Sequence, residues 1–187
     1  MIRTRIRDVP NLLSALRLLA APFAAWLIVA GHDTAALVVF ALAGLSDGLD
    51  GFIARRWGVT SDFGAWLDPV ADKLLMLLSL IALFIAGLTP WWLVTLVVVR
   101  DIAIIMGFLL VKLFALPMTT SPLFIGKLST VVQLLYVLGA LVLLAFDLDV
   151  PQLVQGGAWA CGLVTILSAA AYAGGFLRGL FRGRRTA

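Results

Sequence analysis

The sequence contains no glutamate, one cysteine and one histidine in 187 residues, and only 13% of it is charged. The lone thiol, Cys161, excludes a disulfide within the chain; set in an apolar stretch, it reads as a buried, inert side chain. The lone imidazole, His32, sits in a Gly-His-Asp turn with no other histidine or thiol near it in sequence, so it reads as a loop residue rather than a metal ligand. The scarcity of charge matters more. With 63% hydrophobic residues, the chain carries more apolar surface than a soluble domain of this length can bury, whereas a bilayer can take it up. One polytopic membrane domain over residues 1–187 is the expectation. All ten acidic residues are aspartate; surface helices usually favour glutamate, so these acids read as holding positions rather than decorating a face. There is no internal repeat and no low-complexity tract.

What is present is a series of long apolar segments. Six are long enough to cross a membrane as helices: about 11–30, 34–57, 63–87, 90–113, 122–146 and 153–177. Gly31-His32-Asp33, Gly58-Val59-Thr60-Ser61, Gly87-Leu88-Thr89-Pro90, the Pro117 to Pro122 stretch and Asp147 to Pro151 separate them. Arg3, Arg5 and Arg7 precede the first segment as in a secretory signal. Arg17 interrupts that run, though, and the stretch to Ala30 is long enough to span, so it reads as a retained helix. The expected fold is all-α: a bundle of six transmembrane helices, with a basic arm at 1–9 and a basic tail at 178–187.

Charge orients the bundle. Arg3, Arg5, Arg7, Arg55, Arg56, Lys112, Lys127, Arg178, Arg182, Arg184 and Arg185 fall on one side, and the three turns on the other side have no Lys or Arg. By the positive-inside rule both termini are cytoplasmic, with Trp91 and Trp92 anchoring the opposite interface. The basic ends also favour anionic headgroups, at about 1 kcal/mol per residue near the surface.

The costly feature lies in the second and third segments. Asp47 and Asp50 are three residues apart and Asp68 and Asp72 four apart, so each pair shares a helical face. Counted from the shared cytoplasmic turn at about 1.5 Å per residue, Asp47 and Asp72 reach a similar depth of roughly 13–15 Å. Gly51 and Gly64 permit close helix approach. Four carboxylates in low dielectric must either protonate or be neutralised by cations, and hard oxygen ligands suit one or two Mg²⁺ or Mn²⁺ ions. A single intramembrane aspartate could instead serve helix packing or pair with Lys73 or Arg55. Four at matched depth argue for the metal.

Read straight through, Asp47-x2-Asp50-Gly51-x2-Ala54-Arg55-x8-Gly64-x3-Asp68-x3-Asp72 resembles the signature of the CDP-alcohol phosphotransferase family at every fixed position. Pro10-Asn11-Leu12-Leu13-Ser14 with Arg17 resembles that family's opening, and the six-helix plan agrees. The resemblance implies a two-metal site on Asp47, Asp50, Asp68 and Asp72, with Asp72 also the general base. It implies CDP-lipid contacts at Asn11, Ser14, Asp47, Gly51, Arg55 and Ser61. Arg100 and Lys127 are candidates for holding the acceptor's phosphate; the alternative is that they form separate salt bridges, because neighbours such as Arg100 and Asp101 diverge by 100° on a helix.

Within the family, the stretches 40–55, Arg100-Asp101 and 122–130 look most like the branch that makes cardiolipin and CMP from CDP-diacylglycerol and phosphatidylglycerol. The branch using glycerol 3-phosphate to make phosphatidylglycerophosphate is similar around Phe63 to Lys73, but typically carries Arg-Glu where this chain has Arg100-Asp101. Homodimerisation and a place in a bacterial inner membrane, with the site facing the cytoplasm, come by the same analogy. Rival readings are a membrane prenyltransferase, a cation- or proton-coupled transporter and a non-catalytic scaffold. The first is expected to show two separate Asp-rich motifs, the second has no need of Ala54-Arg55 at fixed spacing, and the third is opposed by a motif with nothing missing.

Overall fold

A computed structural model describes the backbone of residues 2–57, 62–113 and 124–183, and the side chains of 13–46, 67–113 and 124–176. Among the described residues six helices follow one another: α1 Ile2–Val29, α2 Asp33–Trp57, α3 Asp62–Ile85, α4 Trp91–Leu113, α5 Phe124–Ala145 and α6 Pro151–Gly183. There is no strand among the described residues. The expected separators at 31–33, 87–90 and 147–151 hold, those at 58–61 and 117–122 lie outside the described residues, and the expectation differs at the two ends. There α1 continues back through Pro10 to Ile2, and α6 runs on to Gly183, into the stretches expected as a basic arm and tail. A helix satisfies its own backbone whatever its side chains, so the end of an apolar run need not end it.

Three turns are closed alike. Gly31, Gly87 and Asp147 have positive φ, at 74°, 81° and 51°. In each turn the following amide donates to the carbonyl five residues back: His32 to Leu27 at 2.9 Å, Leu88 to Leu83 at 3.0 Å and Leu148 to Leu143 at 2.8 Å. This is the Schellman arrangement, which satisfies carbonyls a helix end would otherwise leave open. Glycine accepts the left-handed conformation freely; Asp147 is the only non-glycine among the described residues with positive φ.

The chain forms two compact units. The first comprises Met1–Thr89 and Val137–Val150. In it α1 packs on α3 and on α2, and α2 also touches α3. Along α1 the buried face reads Ser14, Arg17, Ala21, Ala24 and Ile28, at alternating three- and four-residue steps. Along α3 it reads Leu67, Ala71, Leu75, Ser79 and Ala82. Small side chains on both helices let the backbones approach, the mode of packing that works without a hydrophobic driving force between helices.

The second unit comprises Pro90–Tyr136 and Pro151–Ala187. Here α4 packs on α6 where Gly162 faces the Trp92 ring: a Cβ at that glycine would lie 2.7 Å from Trp92 Cζ3. Trp92 in turn packs on Trp159, with ring centroids 4.7 Å apart. Gly157 against Tyr136 and Gly126 against Tyr172 repeat the pattern between α6 and α5. A polar seam runs through the unit: Gln133 Nε2 donates to Ser129 Oγ and Thr165 Oγ1, both at 3.3 Å, and Thr165 returns its hydroxyl to the Cys161 carbonyl at 2.8 Å. Cys161 is buried, as its apolar setting implied.

Outward faces are apolar. Leu113 is 72% and Phe124 79% exposed, an arrangement suited to lipid rather than water. Among the described residues three helical stretches are long and apolar enough to cross a membrane: Trp91–Leu113, Phe124–Ala145 and Pro151–Phe176. Leu13–Val29 and Asp33–Ser46 are shorter apolar helices.

Candidate functional site

The acidic row of α3 sits beside its buried row. Leu67, Ala71 and Leu75 are buried at four-residue spacing, and Asp68 and Asp72 each follow one of them, about 100° further round the helix. Both carboxylates are therefore at the margin of the helix contact, partly exposed, one turn apart on one face. That is the arrangement expected for the α3 half of the aspartate constellation.

Asp68 is held from α1. The fully buried Ser14 hydroxyl donates a hydrogen bond to Asp68 Oδ1. Ser14 is 15 positions before the end of α1 and Asp68 17 before the end of α3, so the bond joins the two helices at similar distances from their C-terminal ends. Arg17 follows Ser14 on the same face and is 1% exposed. Sequence reasoning used Arg17 as a break in the apolar run and a family landmark. Its burial could have been anticipated from its three-residue step after Ser14. Pro69, directly after Asp68, removes one amide from the helical ladder of α3 and so leaves a carbonyl one turn earlier without its usual donor.

Asp47, Asp50, Gly51 and Arg55 lie on the α2 helix, which keeps the two aspartates three apart on one face. Their side chains, those of Asn11 and Gly64, and all of Ser61 lie outside the described residues. Among the described residues alone, no three His, Cys, Asp or Glu side chains converge. His32 is exposed in its turn, its ring 6.0 Å from that of Trp26.

In the second unit Arg100 is a hub. Its Nη1 donates to Asp101 Oδ1 at 2.7 Å, and Nη2 donates to Ser168 Oγ at 2.8 Å and to the Gly126 carbonyl at 3.4 Å. Adjacency on the helix alone does not establish the pairing with Asp101, since Cβ directions diverge between neighbours; the long arginine side chain closes the gap. Arg100 is 6% exposed, and its Nε is buried without a hydrogen-bond partner. Lys127 is exposed in the first turn of α5, adjoining the Gly126 carbonyl that Arg100 reaches. The two candidate acceptor-binding cations are thus brought to one region of this unit, one buried and fastened, the other open.

The donor set on α3 suits a small divalent cation. Asp68 and Asp72 supply hard carboxylate oxygens one turn apart, and the bond from Ser14 occupies one Asp68 oxygen while leaving the other available.

Comparison with known proteins agrees with this chemistry. The CDP-alcohol phosphatidyltransferase family model matches residues 7–169. A protein of Drosophila melanogaster named probable cardiolipin synthase (CMP-forming) is 35% identical, the match covering 91% of this chain and 58% of that protein. The Rattus norvegicus cardiolipin synthase (CMP-forming) is 39% identical over 74% of this chain and 51% of its own length. A probable phosphatidylglycerophosphate synthase of Mycobacterium tuberculosis is 36% identical over 70% of this chain and 64% of that protein. The chain thus spans between about half and two thirds of the length of these relatives. With the family model covering most of its length, from the α1 helix that carries Ser14 to the α6 helix that carries Ser168, the chain belongs to the CDP-alcohol phosphatidyltransferase family.

Proposed function

We propose that the protein is an integral membrane phosphatidyltransferase that makes cardiolipin and CMP from CDP-diacylglycerol and phosphatidylglycerol. The observation that carries the reaction class is the pair Asp68 and Asp72 on one face of α3, within a family motif complete in sequence. The cardiolipin branch is favoured by the fly and rat relatives and by aspartate rather than glutamate after Arg100.

In this reading Asp47, Asp50, Asp68 and Asp72 would hold two Mg²⁺ or Mn²⁺ ions, whose chemistry when bound is to neutralise charge developing on the diphosphate. Asp72 takes the proton from the terminal glycerol hydroxyl of phosphatidylglycerol. That oxygen attacks the β-phosphorus of CDP-diacylglycerol, a new phosphodiester P–O bond forms, and the P–O bond to CMP breaks with its electrons leaving on CMP. Gly51 allows close backbone approach to the CDP moiety, Arg55 meets its phosphate charge, and Asn11, Ser61 and Asp47 complete its seat. Arg100 and Lys127 meet the phosphate of the acceptor.

All six helices span the membrane with both termini cytoplasmic, which releases CMP into water while lipids enter from the inner leaflet of a bacterial cytoplasmic membrane. Two chains form the working dimer. This topology is supported by the one-sided Lys and Arg distribution.

A second reading is favoured by the Mycobacterium relative: the same machinery with glycerol 3-phosphate as acceptor, giving phosphatidylglycerophosphate. Purified protein supplied with CDP-diacylglycerol, Mg²⁺ and either acceptor separates the two by product mass. Cardiolipin from phosphatidylglycerol supports the first reading. Product from glycerol 3-phosphate alone replaces it with the second, and no CMP from either defeats both.

A further inference from the structure

The resemblance implies a CDP-lipid contact at Ser14, yet the Ser14 side chain is 0% exposed and its hydroxyl is engaged by Asp68 Oδ1. We propose that Ser14 is a positioning residue for the metal site, fixing the Asp68 carboxylate from the neighbouring helix so that its second oxygen is presented to a divalent cation. The inference rests on the metal reading given above and adds to it the residue of α1 that orders one of the ligands.

Asp68 sits at the margin of the α1–α3 contact, where its carboxylate has two rotatable bonds and partial access to solvent. Without an anchor it would sample several rotamers. Ser14 cannot wander: it belongs to the buried row of α1, packed among small side chains, with no solvent face. A hydrogen bond from a fixed hydroxyl to one oxygen sets both the torsion and the plane of the carboxylate. Pro69 acts on the same residue through the backbone, since its ring fixes φ immediately after Asp68.

The electrostatics agree. A hydroxyl donor orients the carboxylate without adding a positive charge that would repel a cation. A lysine or arginine in the place of Ser14 would stabilise the carboxylate but compete with the metal. Carboxylate ligands are regularly held by such outer hydrogen bonds, and their loss lowers metal affinity by about 10–100-fold.

The test is Mn²⁺ binding followed by electron paramagnetic resonance on purified, detergent-solubilised protein without lipid substrate, for wild type, Ser14→Ala, Ser14→Thr and Asp68→Asn. Thermal unfolding of each variant establishes that it is folded. Ser14→Ala is expected to weaken Mn²⁺ binding by about 10–100-fold and to move the Mn²⁺ activation midpoint by the same factor, with the KM for CDP-diacylglycerol at saturating metal close to wild type. Ser14→Thr, which keeps the hydroxyl, restores most of the affinity. Wild-type Mn²⁺ affinity in folded Ser14→Ala, with a raised KM for CDP-diacylglycerol, overturns the proposal and makes Ser14 a lipid contact. Absence of saturable Mn²⁺ binding in wild type, or its full retention in Asp68→Asn, overturns the metal reading itself and this inference with it.

Discussion

The Arg100 guanidinium turns back along α4 to meet the carboxylate of its immediate neighbour, Asp101, 2.7 Å away, while its other amino group reaches Ser168 on α6. One arginine thereby ties a loosely directed carboxylate and a second helix together in a unit that also holds glycine–aromatic contacts and the Gln133 seam.

Breaking that pair leaves a buried guanidinium with one anionic partner fewer. Asp101→Asn is expected to cost about 1–3 kcal/mol, below the full penalty for a buried pair because Asp101 is 26% exposed. Thermal unfolding in detergent reads this as a lowered midpoint. Arg100→Leu combined with Asp101→Leu should cost less than the two single changes added together. An acceptor role for Arg100 adds a second signature: Arg100→Lys raises the KM for phosphatidylglycerol and leaves that for CDP-diacylglycerol unchanged.

Asp72→Asn removes the proposed base while keeping the shape of the side chain. CMP release should fall by about 10²–10⁴-fold, with CDP-diacylglycerol binding largely retained; turnover near the wild-type rate removes Asp72 from that role. Asp47→Ala is expected to weaken Mn²⁺ and CDP-lipid binding together, readable by calorimetry in detergent.

Gly162 and Gly139 form a matched pair of tests. Both are interior helix positions, but a Cβ at Gly162 would press on the Trp92 ring, while at Gly139 it would meet nothing within 4 Å. Gly162→Ala should destabilise by about 1–3 kcal/mol through overpacking, since Trp159 limits the retreat of Trp92. Gly139→Ala should be neutral or stabilising by up to about 1 kcal/mol from helix propensity. Equal effects at the two sites would refute the close α4–α6 approach.

Asp147 occupies a left-handed position that glycine fills at the two comparable turns. Asp147→Gly should therefore stabilise by about 0.5–1 kcal/mol, and Gly31→Ala should cost about 1 kcal/mol. Chemical denaturation in mixed micelles measures both.

The helical segments were legible because long apolar runs and their stops are written along the chain: Gly31, Gly87 and Pro90 stop helices locally, and no distant contact is needed to see it. The α3 half of the site was legible for the same reason, since Asp68 and Asp72 share a face by spacing alone. The α1 start at Ile2 was not, because Arg3, Arg5 and Arg7 end an apolar run without ending a helix. Nor was the Arg100–Asp101 pair, which depends on the reach of a long side chain rather than on Cβ direction. The bond between Ser14 and Asp68 was hidden more deeply. It follows from how two helices that are not neighbours in sequence pack on each other, and nothing in either segment alone encodes that contact. The α2 half of the site, Asp47 and Asp50 with Arg55, is carried by the motif and the helical backbone of α2 alone.

The packing of α1 on α3 also imposes an order on biogenesis. Asp68 lies 54 residues beyond Ser14, so a ribosome that has delivered only the first hairpin has released a serine whose carboxylate does not yet exist. The small-residue face of α1 must wait through the synthesis of α2 before its mate arrives, and the first unit is complete only once α3 has packed beside α1 and residues 137–150 have followed.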